Sequence, residues 1–216
     1  MSPDDPPEFL AAKVYRARKF RAFSRDDQYM GGPVRGIAPR DTRGARAIRQ
    51  RTDLGLALAN QAWITREWES LCTLHAASAD VPRAYDQSQS AILMEFASDR
   101  AGGQSHAAPR LVDTDVPRDA AQPLLERLMF NVELLLRNDF VHGDLSAYNV
   151  LYAGGRPWLI DLPQAVDARA TPHAPEMLRR DVYNVCTHLK RWGAEVVGGP
   201  DAFATELWRR YMYGEL

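Results

Sequence analysis

The sequence predicts an α+β fold of two unequal lobes, the first mixed and the second small and mostly helical. Three observations carry this reading. Short β-rich runs alternate with two long helical patterns, Leu54 to Ala77 and Asp119 to Asn138. Midway along the chain an apolar strand pattern, Ala91 to Ala97, runs directly into the polar, glycine-containing S-D-R-A-G-G-Q-S-H, where two lobes would be hinged. Gly154-Gly155 then separates two further β runs, a strong turn signal that sets one hairpin among helices. The expected units are residues 1–97 and 98–216.

Composition sets the outer bounds. A chain of 216 residues with 45% hydrophobic and 25% charged residues is ordinary for a globular protein and long enough to bury a core without staples. No apolar run approaches the roughly 18 residues of a membrane span, and M-S-P-D-D-P-P-E is unlike a secretory signal, so the expected location is the cytoplasm. Two cysteines, Cys72 and Cys186, make no disulfide framework or zinc spacing, and both are expected in the core. The net charge of -1 hides an asymmetry: Arg16 to Arg51 carries ten Arg and one Lys against three Asp, a balance of +8. Such a segment is either a solvated arm that folds back on the acidic remainder or a contact for phosphates, RNA included.

Taken in order, Glu8 to Ala17 has the apolar content of a buried strand with Lys13 in its middle. An ammonium there is either an edge residue or the cation that holds nucleotide phosphates. Lys19 to Arg51, glycine-spotted and aperiodic, reads as a long loop with one or two helical turns. In the first helix Leu56, Asn60, Trp63, Glu67, Leu71 and Leu74 recur at steps of four and three and share a face. Glu67 on that stripe either pairs with a cation, for which Lys13 is the candidate, or lies at the edge in water. Two strands follow, a short one bracketed by Val81-Pro82 and Asp86 to Ser90 and one over Ala91 to Ala97, the second expected to be fully buried. Met94, Glu95 and Phe96 at its end either line a nucleotide base or belong to the core.

The second helix has Leu125, Leu128, Val132, Leu135 and Leu136 as its stripe and Asp119 as its N-cap candidate. It ends near Asn138, just before H-G-D-L-S-A-Y-N-V-L-Y, His142 to Tyr152. The hairpin Val150–Ala153 and Arg156–Ile160 would deliver Asn149 and Asp161 to one side of a cleft. A last pair of helices is expected from His173 to Gly193 and from Pro200 to Tyr213.

The chemistry lies in the spacing. Asp144 and Asn149 stand five positions apart, and Asp161 follows twelve later. Phosphoryl transfer from a nucleotide needs a carboxylate for the acceptor hydroxyl, an amide oxygen and a second carboxylate for the metal, and a scaffold that holds all three. A strand Lys, a helix Glu, a hinge strand, a long helix, H-G-D-x-x-x-x-N, a hairpin and an Asp occur in the order of a protein-kinase-like fold.

Three passages then narrow the choice: H-G-D-L-S-A-Y-N-V-L, I-D-L-P-Q-A-V-D and H-A-P-E-M-L-R-R-D-V-Y-N-V. They closely resemble the RIO family of atypical serine/threonine protein kinases, its bacterial members in particular, and A-A-K-V-Y-R-A, W-I-T-R-E-W-E-S-L and I-L-M-E-F extend the resemblance toward the front. The resemblance implies that Asp144 is the catalytic carboxylate, with Asn149 in the same loop. It implies that Asn149 and Asp161 hold magnesium, that Lys13 paired with Glu67 positions the phosphates of ATP, and that Met94, Glu95 and Phe96 meet the base. It also implies a protein substrate or autophosphorylation, and a structural role for Asp181. Gly143 stands where ordinary kinases carry Arg.

The family's Ser/Thr-Gly-Lys-Glu-Ala loop should precede the Lys strand, but only M-S-P-D-D-P-P-E-F-L-A-A stands before Lys13. The expected N-lobe is therefore truncated. A catalytically impaired module that contacts RNA or a ribosomal partner through Arg16 to Arg51 is the second reading, and a small-molecule kinase of the aminoglycoside type is the third.

Overall fold

The computed structural model describes residues 9–15, 50, 52–99 and 106–216. The basic segment Arg16 to Arg51 and the loop expected over Lys19 to Arg51 lie outside the described residues, apart from Gln50.

The front of the chain is a three-stranded antiparallel sheet packed on one long helix. Strand β1 (Leu10–Val14) is an edge, β3 (Ala91–Glu95) is the centre and β2 (Ala84–Gln87) is the other edge. Helix α1 (Asp53–Ala76) begins at Thr52, whose hydroxyl accepts from the Gly55 N–H at 3.2 Å and so caps one of the otherwise unbonded amides. Its buried face contains Ile64, Glu67, Leu71 and Leu74. Asn60 and Trp63 are half-buried, and the side chain of Leu56 lies outside the described residues.

The two strands expected to be buried are covered on one face only. In β1 the side chains of Leu10, Ala12 and Val14 are exposed while Ala11 and Lys13 turn inward, and the strand is five residues long instead of the ten from Glu8 to Ala17. In β3, Ile92 and Met94 are buried and their neighbours are not. Apolar composition alone fails here because α1 contacts a single side of the sheet.

The back of the chain is built on α2 (Arg118–Arg137), whose predicted stripe of Leu125, Leu128, Val132, Leu135 and Leu136 is buried throughout. Pro117 occupies the N-cap with no side-chain bond, and Asp119 falls one residue inside the helix, where its charge faces the dipole without capping an amide. Short strands β4 (Ser98–Asp99) and β5 (His106–Ala107) pair in the stretch where a hinge was expected. Strand β6 (Phe140–Val141) pairs with β9 (Val166–Asp167), and β7 (Val150–Ala153) with β8 (Arg156–Leu159). Gly154 and Gly155 turn the second hairpin at φ 56° and 79°, the left-handed pair that a two-residue turn between twisted strands requires.

Helices α3 (Ala174–Lys190) and α4 (Gly199–Met212) pack on each other and on α2. One continuous apolar cluster joins Ile64, Leu74 and Ile92 of the front to Leu128, Leu145 and Leu162 of the back. Cys186 is buried in it, whereas Cys72 is exposed on the outer side of α1, contrary to expectation. Among the described residues no helix is long and apolar enough to cross a membrane.

Candidate functional site

Three groups from distant parts of the chain meet beneath the sheet. Lys13 Nζ donates to Glu67 Oε1 at 2.7 Å and Oε2 at 3.0 Å, and to Asp161 Oδ1 at 2.7 Å. Register explains the first contact: Lys13 pairs with Ile92 in the centre of the sheet, so its side chain points at the α1 face that carries Glu67. Glu67 is 1% exposed and accepts two further bonds, from the Tyr15 hydroxyl on Oε2 and from the Leu162 N–H on Oε1 at 3.3 Å. Burial raises the Glu67 carboxyl above its ordinary range, with Lys13 opposing. Burial also works against the Lys13 charge, but the carboxylates of Glu67 and Asp161 outweigh it and hold the ammonium above its usual value. Tyr15, whose ring lies 5.5 Å from Nζ, went unnoticed in the sequence because a tyrosine two places beyond a lysine carries no signal of its own.

Asp161 has φ 68° and ψ 57°, a left-handed conformation uncommon for a non-glycine residue and concentrated at functional sites. Its neighbours fix it there. The Ile160 N–H donates to the Asn149 carbonyl at 3.0 Å, and the buried His142 imidazole meets the Ile160 carbonyl at 3.2 Å through Nε2. Burial lowers the His142 pKa, so the ring is neutral. Assigning its proton to Nε2, which donates to Ile160, leaves Nδ1 to accept the Asp144 N–H at 3.4 Å. One histidine thus links the loop of Asp144 to the strand of Asp161.

Asn149 Nδ2 donates to the Asp144 carbonyl at 2.8 Å and to Asp144 Oδ2 at 3.3 Å, which turns the amide oxygen to the opposite side. That oxygen and the part-exposed carboxylate of Asp161 are hard donors of the kind magnesium takes. The site therefore holds two hard oxygen donors, an ion-paired ammonium and a half-buried carboxylate at Asp144.

The loop around Asp144 is held from α3. Asp181 is 2% exposed and accepts the Gly143 N–H at 2.7 Å and the Leu145 N–H at 2.9 Å. Burial pushes its carboxyl up to about 7, against the pull of those two amides and of Arg180. Gly143 itself, at φ 81°, has no room for a side chain: a Cβ would lie 2.7 Å from Met177 Cε and 2.9 Å from the Gln164 carbonyl. An arginine in this place is sterically barred.

The residues expected to meet a base sit at the end of β3. Met94 is buried, Phe96 meets Phe9 edge to face at 6.3 Å, and the Glu95 carboxylate accepts from the Arg83 N–H at 3.2 Å and faces Arg156 at 3.5 Å. The Glu95 N–H is donated to the Arg83 carbonyl at 2.8 Å, so that group is already engaged within the sheet.

Comparison with known proteins gives a consistent result. A family model described as "RIO domain" matches residues 8–200. The chain is 28% identical over 195 residues to serine/threonine-protein kinase rio1 of Schizosaccharomyces pombe, covering 90% of this chain and 36% of that protein. It is 26% identical over 188 residues to the RIO-type serine/threonine-protein kinase Rio1 of Thermoplasma acidophilum, covering 87% of this chain and 88% of that one. The chain thus spans about a third of the fungal relative and nearly the whole of the archaeal one. Among solved structures, the Rio2 kinase of Chaetomium thermophilum in its ADP/Mg2+-phosphoaspartate complex superposes with a TM-score of 0.59, at 20% identity over 81% of this chain and 51% of that one. That likeness gives the fold, a kinase-like one.

Proposed function

The chain belongs to the RIO domain family, and from that premise we propose that it binds ATP with magnesium and transfers or hydrolyses the terminal phosphoryl group. The observation that carries the proposal is the junction at Lys13, where one ammonium bonds both a buried helix carboxylate and the carboxylate of a strained aspartate. A protein serine or threonine, this chain's own included, is the acceptor, or water is.

Lys13, oriented by Glu67, receives the phosphates. Magnesium, when bound by Asn149 and Asp161, neutralises charge on the phosphoryl oxygens. Asp144 orients the acceptor hydroxyl and takes its proton, a task that asks for placement more than for basicity. Met94, Glu95 and Phe96 contact the base, and the lobes divide at residues 97 and 98. The lack of a membrane-crossing helix among the described residues supports a cytoplasmic location.

Incubation with labelled ATP and magnesium tests the reading. Phosphate is expected on protein or free in solution with the native chain, and in neither form with Asp161→Ala. Turnover that survives this substitution would sink the assignment.

A further inference from the structure

The three residues centred on Asp144 form no helix or strand ladder, yet each of their six backbone polar groups meets a side chain. The Gly143 and Leu145 N–H groups go to Asp181, the Asp144 N–H to His142 and the Asp144 carbonyl to Asn149. The two remaining carbonyls are taken by neighbours of Asp181 on α3. Arg180 Nη2 donates to the Gly143 carbonyl, and Asn184 Nδ2 donates to the Leu145 carbonyl at 3.1 Å. Residues 180, 181 and 184 lie on adjoining turns of α3, so one helix face grips the peptide groups on both sides of Asp144.

Resting on the phosphoryl-transfer reading, we infer that Arg180 and Asn184 are positioning residues that hold the Asp144 loop in register by its two flanking carbonyls. Asp181 holds the peptide groups that precede Gly143 and Leu145, and Arg180 and Asn184 hold the two that follow them. One helix thus fixes four successive peptide groups around Asp144. Leu145 is fully buried, so water offers its carbonyl no easy replacement for Asn184. Because Asp144 acts by placement, a tilt of its flanking peptides should slow transfer and leave nucleotide binding alone, and a misplacement near 1 Å costs roughly a hundredfold in rate.

The test compares the full chain with Asn184→Ala, Arg180→Ala and Arg180→Lys, reading kcat, the KM for ATP, the thermal midpoint and amide exchange at Gly143 and Leu145. The expected result for both alanine variants is kcat lowered about ten- to a hundredfold, KM for ATP within about twofold of the native value, and faster exchange at the two amides. Arg180→Lys, which keeps a donor, should recover most of the rate. Native turnover in both alanine variants would overturn the inference, and so would a loss of kcat matched by a rise in KM and a fall in thermal midpoint, the mark of general unfolding. If the native chain turns over no ATP, the phosphoryl-transfer reading has failed. The exchange arm still decides the positioning claim, because unchanged protection at Gly143 and Leu145 overturns it.

Discussion

Lys13 Nζ lies 2.7 Å from Asp161 Oδ1, although 148 positions separate the two residues. The contact ties the edge of the sheet to the strand end that carries the strained aspartate, and Glu67 closes the group from behind. Replacing Lys13 by Met leaves the Glu67 carboxylate buried without its cation. The expected loss of stability in urea is about 3 kcal/mol, with part of it restored by Glu67→Gln in the same chain. An unchanged midpoint in Lys13→Met would mean that the junction contributes nothing to folding.

Gly143→Ala should be poorly tolerated for two separate reasons. The backbone is left-handed there, and a Cβ meets both Met177 and the Gln164 carbonyl. The thioether end can swing aside, but the carbonyl belongs to the main chain and cannot. A destabilisation of about 2 kcal/mol is expected, with Met177→Ala in the same chain recovering less than half of it. Thermal unfolding of the single and double variants checks both halves.

Asp181 gives the fold a dependence on pH. Its folded-state value, about 7, lies above the ordinary aspartate range, so the folded chain holds this proton more tightly than the unfolded chain does. The stability from that proton is complete below about pH 4 and is lost as pH rises through 7, at up to about 1.4 kcal/mol per pH unit. Buried His142 acts in the opposite sense, since its lowered value makes acid destabilising. The informative quantity is therefore the difference between the native chain and Asp181→Asn. That difference should shrink in the native chain's disfavour from pH 4 to 7.5, and a flat difference refutes the assignment.

Asp80 is the acceptor of a second buried network. Its carboxylate takes Arg127 Nε at 2.5 Å and Nη2 at 3.0 Å and Asn131 Nδ2 at 2.7 Å, while its N–H donates to Asn131 Oδ1 at 2.6 Å. Arg127→Ala strips the counter-charge from a carboxylate that is 6% exposed. About 2 kcal/mol of destabilisation is expected, and Asp80→Asn in the same chain should lessen it. Equilibrium unfolding of the two variants measures both effects.

The features legible in the sequence were those set by local chemistry. The helix read from Leu54 to Ala77 runs from Asp53 to Ala76, and the glycine pair turns the hairpin where it was expected, because caps and left-handed turns act through near neighbours. The contact of Lys13 with Glu67 was within reach for a different reason, since a carboxylate on a buried stripe demands a cation. What stayed hidden depends on which surfaces meet. Leu10 and Val14 are as apolar as any core residue, yet the face they share has no cover among the described elements and they remain exposed. Cys72 fails in the same way, one step off a stripe that holds Leu71. Arg180 and Asn184 look like ordinary helix surface, and only the path of the loop beside them supplies their carbonyl partners.

One backbone bond has a mechanical consequence. The Leu159 N–H donates to the Asp80 carbonyl at 2.7 Å, which joins the chain just beyond the end of α1 to the strand that leads into Asp161. Were α1 to tilt about that end, Glu67 would stand on the arm of a lever. Glu67 stands nine positions before the last helical residue, Ala76, a span of about 14 Å at the helical rise. A tilt of roughly 10° would carry Glu67 through about 2.5 Å over such a span. A shift of that size would break the Glu67 bond to the Leu162 N–H and the Lys13 bond to Asp161, so the junction itself holds the helix at its observed angle.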